Sequence, residues 1–290
     1  MTWVTNFLKE ISTLKRDSSR EVFESFKPVL IAHIDYLITA KKKSNAGRPI
    51  TTSLDIFCNA LYHVTSSGLK ISSVPELFGI PKSTFLRYFQ LLVRSKLLER
   101  LYDQLREVSR PSTKLSIIDS FLVKSIDGSE TTGRNPCDRG RRGCKVFLVC
   151  NANMICQHVW VCGANESENT GLREFIKTSK PVKRVRILGD AGYVGKSVSE
   201  ECLQKGFRLI AQPRKTRSGG YTHRLNWRDK RELKAERNKI ERLNGMVRRY
   251  KAVAVKSFKQ ITSYVTVLLL ALILVSAQLL VSKHKTDVAS

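Results

Sequence analysis

Apolar positions recur at helical spacing through the start of the chain: Phe7, Ile11, Leu14, then Val22, Phe26, Val29, Leu30, Ile34 and Leu37. A stripe of that period predicts helix with one buried face, so residues 1–46 read as an N-terminal helical segment. The basic run from Lys41 through Gly47, Arg48 and Pro49 interrupts it as a loop. From residue 51 to 106 the helical period returns, with Leu54, Phe57, Cys58, Leu61 and Val64 on one stripe. Within this stretch Ser72 or Ser73 can cap a short helix, with Pro75 in its first turn and Gly79 beyond its end. Ile80-Pro81 turns the chain, and Ser83-Thr84 opens a longer helix through Phe85, Tyr88, Phe89, Leu92 and Val93. Short helix, tight turn and long helix form a helix-turn-helix pattern, and residues 47–110 are read as a DNA-binding domain of that type. Lys82, Arg87 and Arg94 are its candidate DNA contacts. An ordinary helical hairpin has the same spacing, so charge decides between the two readings.

At Lys114 the period changes. Leu115 to Val123 reads as a buried strand, Lys145–Asn151 as a second and Ile155–Val161 as a third, joined to the second by the turn-like Ala152-Asn153-Met154. Helix-like spacing over Thr170–Thr178 leads to a strand at Val182–Leu188, a helix at Val198–Gly206 and a strand at Phe207–Gln212. A long charged helix then spans Arg228 to about Lys251. At 100° per residue, Leu233, Ile240, Leu243 and Val247 form its core stripe, and Arg237, Glu241 and Arg248 form a ridge beside it. Three antiparallel strands followed by α/β alternation define an α+β fold. It is an RNase H-like mixed sheet, antiparallel meander plus parallel strands, flanked by helices and assigned to residues 111–283. Ile261–Val281 carries no charge over 21 residues, long enough to cross a bilayer. Thr262, Ser263, Thr266, Ser276 and Gln278 interrupt it, which favours a buried C-terminal helix over a tail anchor.

Charge narrows the partner. The 290 residues include 51 Lys+Arg against 25 Asp+Glu, a net +26 that opposes compaction unless a polyanion neutralises it. Nucleic acid is the leading partner class, ahead of an anionic membrane surface. Residues 214–259 concentrate the excess, with 16 Lys+Arg against 4 Asp+Glu. The segment opens on Arg214 and Lys215, and Gly219-Gly220 is expected to make that loop mobile. Tyr221, His223 and Trp227 place flat side chains among the cations, which suits nucleic acid backbone and an unpaired base, although a solvated basic loop has the same composition. Arg134, Arg139, Arg141, Arg142 and Lys145 form a second cluster able to steer DNA. The seven cysteines are odd in number and include no CxxC pair, so a reducing compartment and small buried thiols are expected rather than disulfides or a zinc ribbon. Lys9 arrives too soon after Met1 for a signal-peptide apolar core. His63 and His158 read as core or surface residues rather than ligands.

Against this basic background two acids stand out. Asp119 lies inside an apolar strand and Asp190 ends another. A carboxylate in such a place is costly unless it is paired, hydrogen-bonded to backbone, or bound to metal. Glu241 has two readings: a salt-bridge ladder with Arg237 and Arg248, or a metal-ligand acid beside two phosphate-binding arginines. Three converging acids can hold two divalent cations for in-line displacement at a phosphodiester, and oxygen ligands favour Mg²⁺ or Mn²⁺ over Zn²⁺.

Three blocks carry a resemblance. Ile117-Ile118-Asp119-Ser120, Gly189-Asp190-Ala191-Gly192-Tyr193-Val194-Gly195 and Arg237-Asn238-Lys239-Ile240-Glu241-Arg242 resemble the acid blocks of DDE transposases, especially the bacterial insertion-sequence-4 and -5 group. The resemblance covers roughly residues 47 to 280 and includes Gly47-Arg48-Pro49 and Leu77-Phe78-Gly79. In the related Tyr-x-x-Arg-x-x-x-Glu-x-x-x-x-x-x-Lys signature, Arg237 and Glu241 match, while Lys234 and Arg248 hold the Tyr and Lys positions. The resemblance implies Asp119, Asp190 and Glu241 as catalytic metal ligands for two Mg²⁺ (or Mn²⁺) ions. It also implies that the C-terminal apolar run packs as a helix rather than entering a membrane, and Arg237, Arg248 and Lys251 are expected to hold phosphates. The expected function is a DNA transposase that binds the terminal inverted repeats of an insertion sequence, cleaves DNA and transfers the strand. Its expected partners are double-stranded element ends and target DNA, bound as a homodimer. Its expected place is the cytoplasm (nucleoid) of a bacterium or the nucleus of a eukaryote. A nuclease that does not join ends and an inactive DNA-binding descendant are the alternatives.

Overall fold

A computed structural model describes residues 7, 10, 18–41, 52–108, 114–126, 130–135, 139–180 and 184–289. The expectations for Ile11, Leu14, residues 42–49, Cys137 and Val182 lie outside the described residues. The chain forms two compact units, residues 1–108 with 247–290, and residues 109–246. Residues 247–283, expected to belong with the sheet, thus group with the N-terminal helices instead.

The first unit is helical. It contains α1 (Ser19–Lys41), α2 (Leu54–Ser67), α3 (Val74–Phe78), α4 (Lys82–Ser95) and α5 (Leu97–Val108). From the other end of the chain come a short helix at Lys251–Ala254 and a long one at Ile261–Ala289. From Ser263 to Val281 that last helix has no exposed face; Leu268, Leu270, Leu272 and Leu274 are each 0% exposed. A helix with no polar face must be wrapped by others, and α1, α2, α4 and α5 surround it. This is the physical reason the C-terminal segment leaves the sheet's unit. The helix is long and apolar enough to cross a membrane, and most of it is buried within the fold.

The short helix, turn and long helix form as the spacing predicts. Gly79 ends α3 in the left-handed region at φ 66°, and its N–H donates to the Pro75 carbonyl at 3.0 Å. A Cβ is disfavoured in that conformation, so glycine suits this turn. Helix α4 starts at Lys82, directly after Pro81, rather than at the Ser83-Thr84 pair. Phe85, Tyr88, Phe89 and Leu92 are buried, and the opposite face presents Ser83, Arg87 and Arg94.

The second unit is built on a mixed sheet of β1 (Leu115–Ser125), β2 (Gly133–Arg134), β3 (Arg142–Asn151), β4 (Cys156–Gly163), β5 (Val185–Gly189) and β6 (Phe207–Ala211). The order runs β2-β3-β1-β5-β6, with β4 also paired to β3. Strands β1, β3 and β4 pair antiparallel, whereas β1–β5 and β5–β6 are parallel. Helix α6 (Glu168–Thr178) connects the meander to the parallel half, and α7 (Lys196–Gln204) connects β5 to β6. Parallel neighbours need such crossovers. The core gathers Ile118, Phe147, Val149, Leu172, Ile187, Tyr193 and Cys202. Cys144, Cys150, Cys156 and Cys162 are buried thiols in β3 and β4, in keeping with the small buried thiols expected.

The predicted long charged helix is two helices, α8 (Trp227–Glu236) and α9 (Asn238–Arg248), with Arg237 between them. Asn226 caps α8 by accepting from the Asp229 N–H at 2.8 Å. The core stripe holds across the break: Leu233 is 8% exposed, and Ile240, Leu243 and Val247 are fully buried.

Candidate active site

Strand β1 is central, and its neighbour β5 runs parallel to it with Ile117 opposite Leu188. Asp119 therefore lies two residues beyond this pairing on β1, and Asp190 lies two residues beyond it on β5. Adjacent strands thus carry both acids to one side of the sheet. Asp119 is half-buried, and its pKa rises to about 6. Burial is the main cause; the Ser120 backbone N–H opposes it, Asp190 adds to it, Arg237 opposes it, and Glu168 adds to it. On α9, the Asn244 amide donates to Asp119 Oδ2 at 2.8 Å. Asp190 caps the turn that follows it, accepting from the Gly192 N–H at 2.8 Å through Oδ1. The backbone-satisfied reading of this acid therefore holds for one of its oxygens.

Glu241 is differently placed. Its side chain is 51% exposed and pairs with Arg237 at 3.3 Å, one helical turn away. Arg237 also donates to Gln212 at 3.0 Å. The ladder contact expected between Arg237 and Glu241 is thus present, and the same guanidinium acts on Asp119. Glu241 lies three residues before Asn244, on the neighbouring ridge of the helix that touches Asp119. Among the described residues, no three His, Cys, Asp or Glu side chains stand together in a group able to hold an ion. Asp119 and Asp190 are brought together; Glu241 is turned to Arg237.

An acid that the sequence reasoning passed over lies beside the aspartates. Glu168 opens α6, and its Oε1 accepts from Ser120 at 3.1 Å and from Lys145 at 3.0 Å. Lys145 is only 9% exposed and also donates to the Glu166 carbonyl. It is therefore committed inside the unit, which corrects its expected place in a DNA-steering cluster; Arg134, Arg139, Arg141 and Arg142 do remain exposed. Tyr193 is fully buried, and burial followed by the Glu168, Asp119 and Asp190 charges pushes its pKa well above the usual value. The only sequence signal for Glu168 is Ser167-Glu168, a cap residue followed by an acid at a helix start. Nothing in that pattern points to Asp119.

Hard divalent cations take oxygen ligands, and this site offers them. Besides the two aspartates, Glu168 Oε2 and Asn244 Oδ1 are buried oxygens without a hydrogen-bond partner of ordinary geometry among the described residues. The donor chemistry around Asp119 and Asp190 suits a hard divalent cation.

The basic segment after β6 is a short hairpin. Lys215 bridges Tyr221, Thr216 N–H donates to the Gly220 carbonyl at 2.9 Å, and Thr222 N–H to the Arg214 carbonyl at 2.9 Å. The glycine pair thus forms a bonded turn, with Gly219 at φ 82°, where a mobile loop was expected. Arg214, Lys215, Arg217 and Arg224 are exposed, as are Tyr221 (60%) and Trp227 (65%). Lys82, Arg87, Arg248 and Lys251 are exposed and belong to the first unit. His158 and His63 stack near Phe175 and Phe78, at 5.5 and 5.4 Å between centroids, in keeping with packing roles.

Residues 110–276 match the family described as Transposase DDE domain. The chain belongs to that family. A Burkholderia cepacia protein named for the transposase of insertion sequence element IS402 is 26% identical to this transposase-family chain over 129 residues. That alignment covers 41% of this chain and 61% of the relative. Among solved structures, a piggyBac transposase synaptic complex with hairpin DNA superposes with a TM-score of 0.54 at 8% identity. The superposition covers 99% of this chain and 76% of that one. The likeness is one of fold, and the mixed sheet of this transposase-family chain is RNase H-like.

Proposed function

We propose that this chain is a DNA transposase that binds the terminal inverted repeats of an insertion sequence, cleaves them and joins the freed ends to target DNA. The observation that carries the reading is the half-buried Asp119 held close to Asp190 at neighbouring strand ends, within a family of transposases. When bound, Mg²⁺ or Mn²⁺ ions would supply Lewis acidity at the scissile phosphodiester. Asp119, Asp190 and Glu241 are the residues proposed to hold them. Asn244 fixes the Asp119 carboxylate, so its orientation is set before any ligand arrives. Arg237 would move from Glu241 to a DNA phosphate, leaving Glu241 free to ligate. Arg248 and Lys251 are further phosphate contacts in this reading.

Substrate recognition is assigned to two basic surfaces. Lys82, Arg87 and Arg94 lie on or at the start of α4, beside a cleft lined by Ser83, Leu86, Arg87, Gln90, Leu91 and Arg94. A helix of this kind enters the major groove with such residues facing base edges and phosphates. Arg214 and Lys215 of the hairpin would hold backbone near the cleaved strand. A homodimer on paired ends, acting in the nucleoid or nucleus, completes the proposal.

Asp190→Ala and Glu241→Ala should each abolish Mg²⁺-dependent cleavage and joining of an end-containing duplex. Intact strand transfer by either variant would sink the assignment. A second reading, a DNA-binding descendant without chemistry, is favoured by the Arg237–Glu241 pair. It predicts no carboxylate-dependent heat on titrating Mn²⁺ into the protein, with or without DNA.

A further inference from the structure

We propose that Glu168 is a positioning carboxylate of the active site, the clamp that fixes the turn carrying Asp190 against the strands carrying Asp119. The inference rests on the reading of Asp119 and Asp190 as the cation-holding pair, and it assigns a role to a residue outside the three acid blocks.

Glu168 reaches three segments at once. Through Oε1 it bonds Ser120, the residue after Asp119 on β1, and Lys145 on β3. On its other side it packs against the Asp190 turn. A Cβ built on Gly192 would lie 2.7 Å from Glu168 Cγ and 3.0 Å from Asp190 Oδ1. Only a residue without a side chain lets this carboxylate and Asp190 share that space. The buried Tyr193 hydroxyl, from the same turn, faces Glu168 without a bond of ordinary geometry. The helix start that delivers Glu168 is itself fixed, because Ser167 caps α6 by accepting from the Thr170 N–H at 3.3 Å.

Energetics argue against a purely structural ion pair. The Lys145–Glu168 pair is largely buried, with side chains 11% and 24% exposed. Such pairs commonly break even with apolar replacements, and removing one partner alone leaves an uncompensated charge. Placing a third carboxylate beside two others adds repulsion, which a stability role would avoid. Lys145 offsets that charge at Oε1, so Glu168 can approach Asp119 and Asp190 while its own position stays fixed. Groups that orient the ligands of a metal set its affinity without touching it.

Manganese binding to the full chain, measured by titration calorimetry without DNA, tests this directly, with the thermal midpoint recorded for each variant. Glu168→Gln keeps the side-chain volume and should weaken Mn²⁺ binding about 10- to 100-fold. Because Lys145 then loses its counter-charge and the fold weakens, Glu168→Gln is also combined with Lys145→Met. The double variant should regain most of the thermal midpoint and still bind Mn²⁺ weakly. Recovery of affinity together with the midpoint would overturn the proposal, as would wild-type affinity in both variants. Asp119→Asn separates the two levels. If it abolishes binding while Glu168→Gln leaves it intact, only the clamp fails. If binding survives Asp119→Asn, the site itself is misassigned and the clamp falls with it.

Discussion

Asp119 loses water on folding and gains two acidic neighbours, Asp190 and Glu168, with Arg237 as a partial counterweight. Its folded pKa of about 6 lies above the ordinary 3.8, so the folded chain holds this proton more tightly than the unfolded chain. The stability from this group is fully present below roughly pH 4 and is lost as the pH rises through about 6. Two pKa units correspond to about 3 kcal/mol once the group is ionised. Without divalent cation, Asp119→Asn should therefore raise the thermal midpoint at about pH 8 and leave it unchanged near pH 4. An equal gain at both pH values would show that the carboxylate is not the strained group. The Arg237–Glu241 contact is mostly in water, and such pairs contribute only about 0–1 kcal/mol. A weak pair is easily exchanged for a phosphate and a cation, as the proposed mechanism requires.

Among the elements, α6 determines how the site is assembled. It crosses from the meander to the parallel half and must lie close on β3 to bring Glu168 to Lys145. Gly171 allows that approach. A Cβ there would fall 2.3 Å from the Phe147 ring, in the core of the sheet. Gly171→Ala should cost about 1–3 kcal/mol, read as a lower urea midpoint, because the helix must lift or the ring must leave its rotamer. An unchanged midpoint would mean that the helix–sheet spacing is looser than the structure has it. The break at Arg237 works at the same scale. It divides a helix that periodicity alone reads as continuous, and it places a guanidinium where the chain passes Gln212 and Glu241.

At the scale of the molecule, charge and hydrophobicity are distributed differently. The apolar C-terminal helix organises the first unit, whereas the exposed hairpin of the second carries cations with few acids near them. In the proposed function the net +26 serves DNA binding rather than folding. Removing one phosphate-binding cation should reduce the slope of log affinity against log salt by about 0.9. Arg214→Ala combined with Lys215→Ala should flatten that slope by nearly twice as much and weaken binding to all duplex sequences alike. Arg87→Ala should instead reduce discrimination between element ends and unrelated DNA. An unchanged salt slope in the hairpin variant would remove that surface from the DNA path.

Period and composition were enough to predict the helix over Ser19–Lys41, the succession of the main strands and helices from β1 to β6 along the chain, and the buried stripe of Leu233, Ile240, Leu243 and Val247. Each is written locally, as one face of one element. The positions of Asp119 and Asp190 in apolar strands were equally legible, because a charge in such a run breaks the pattern. Tertiary structure alone decided what each face meets. It took the C-terminal helix to the N-terminal helices, since an all-apolar helix specifies burial and not its neighbours. It drew Lys145 inward from a basic run and set Glu168 beside the aspartates, through bonds between residues far apart in the chain. Local periodicity fixes which groups are buried, whereas the pairing of buried charges depends on which strands and turns the folded chain brings side by side.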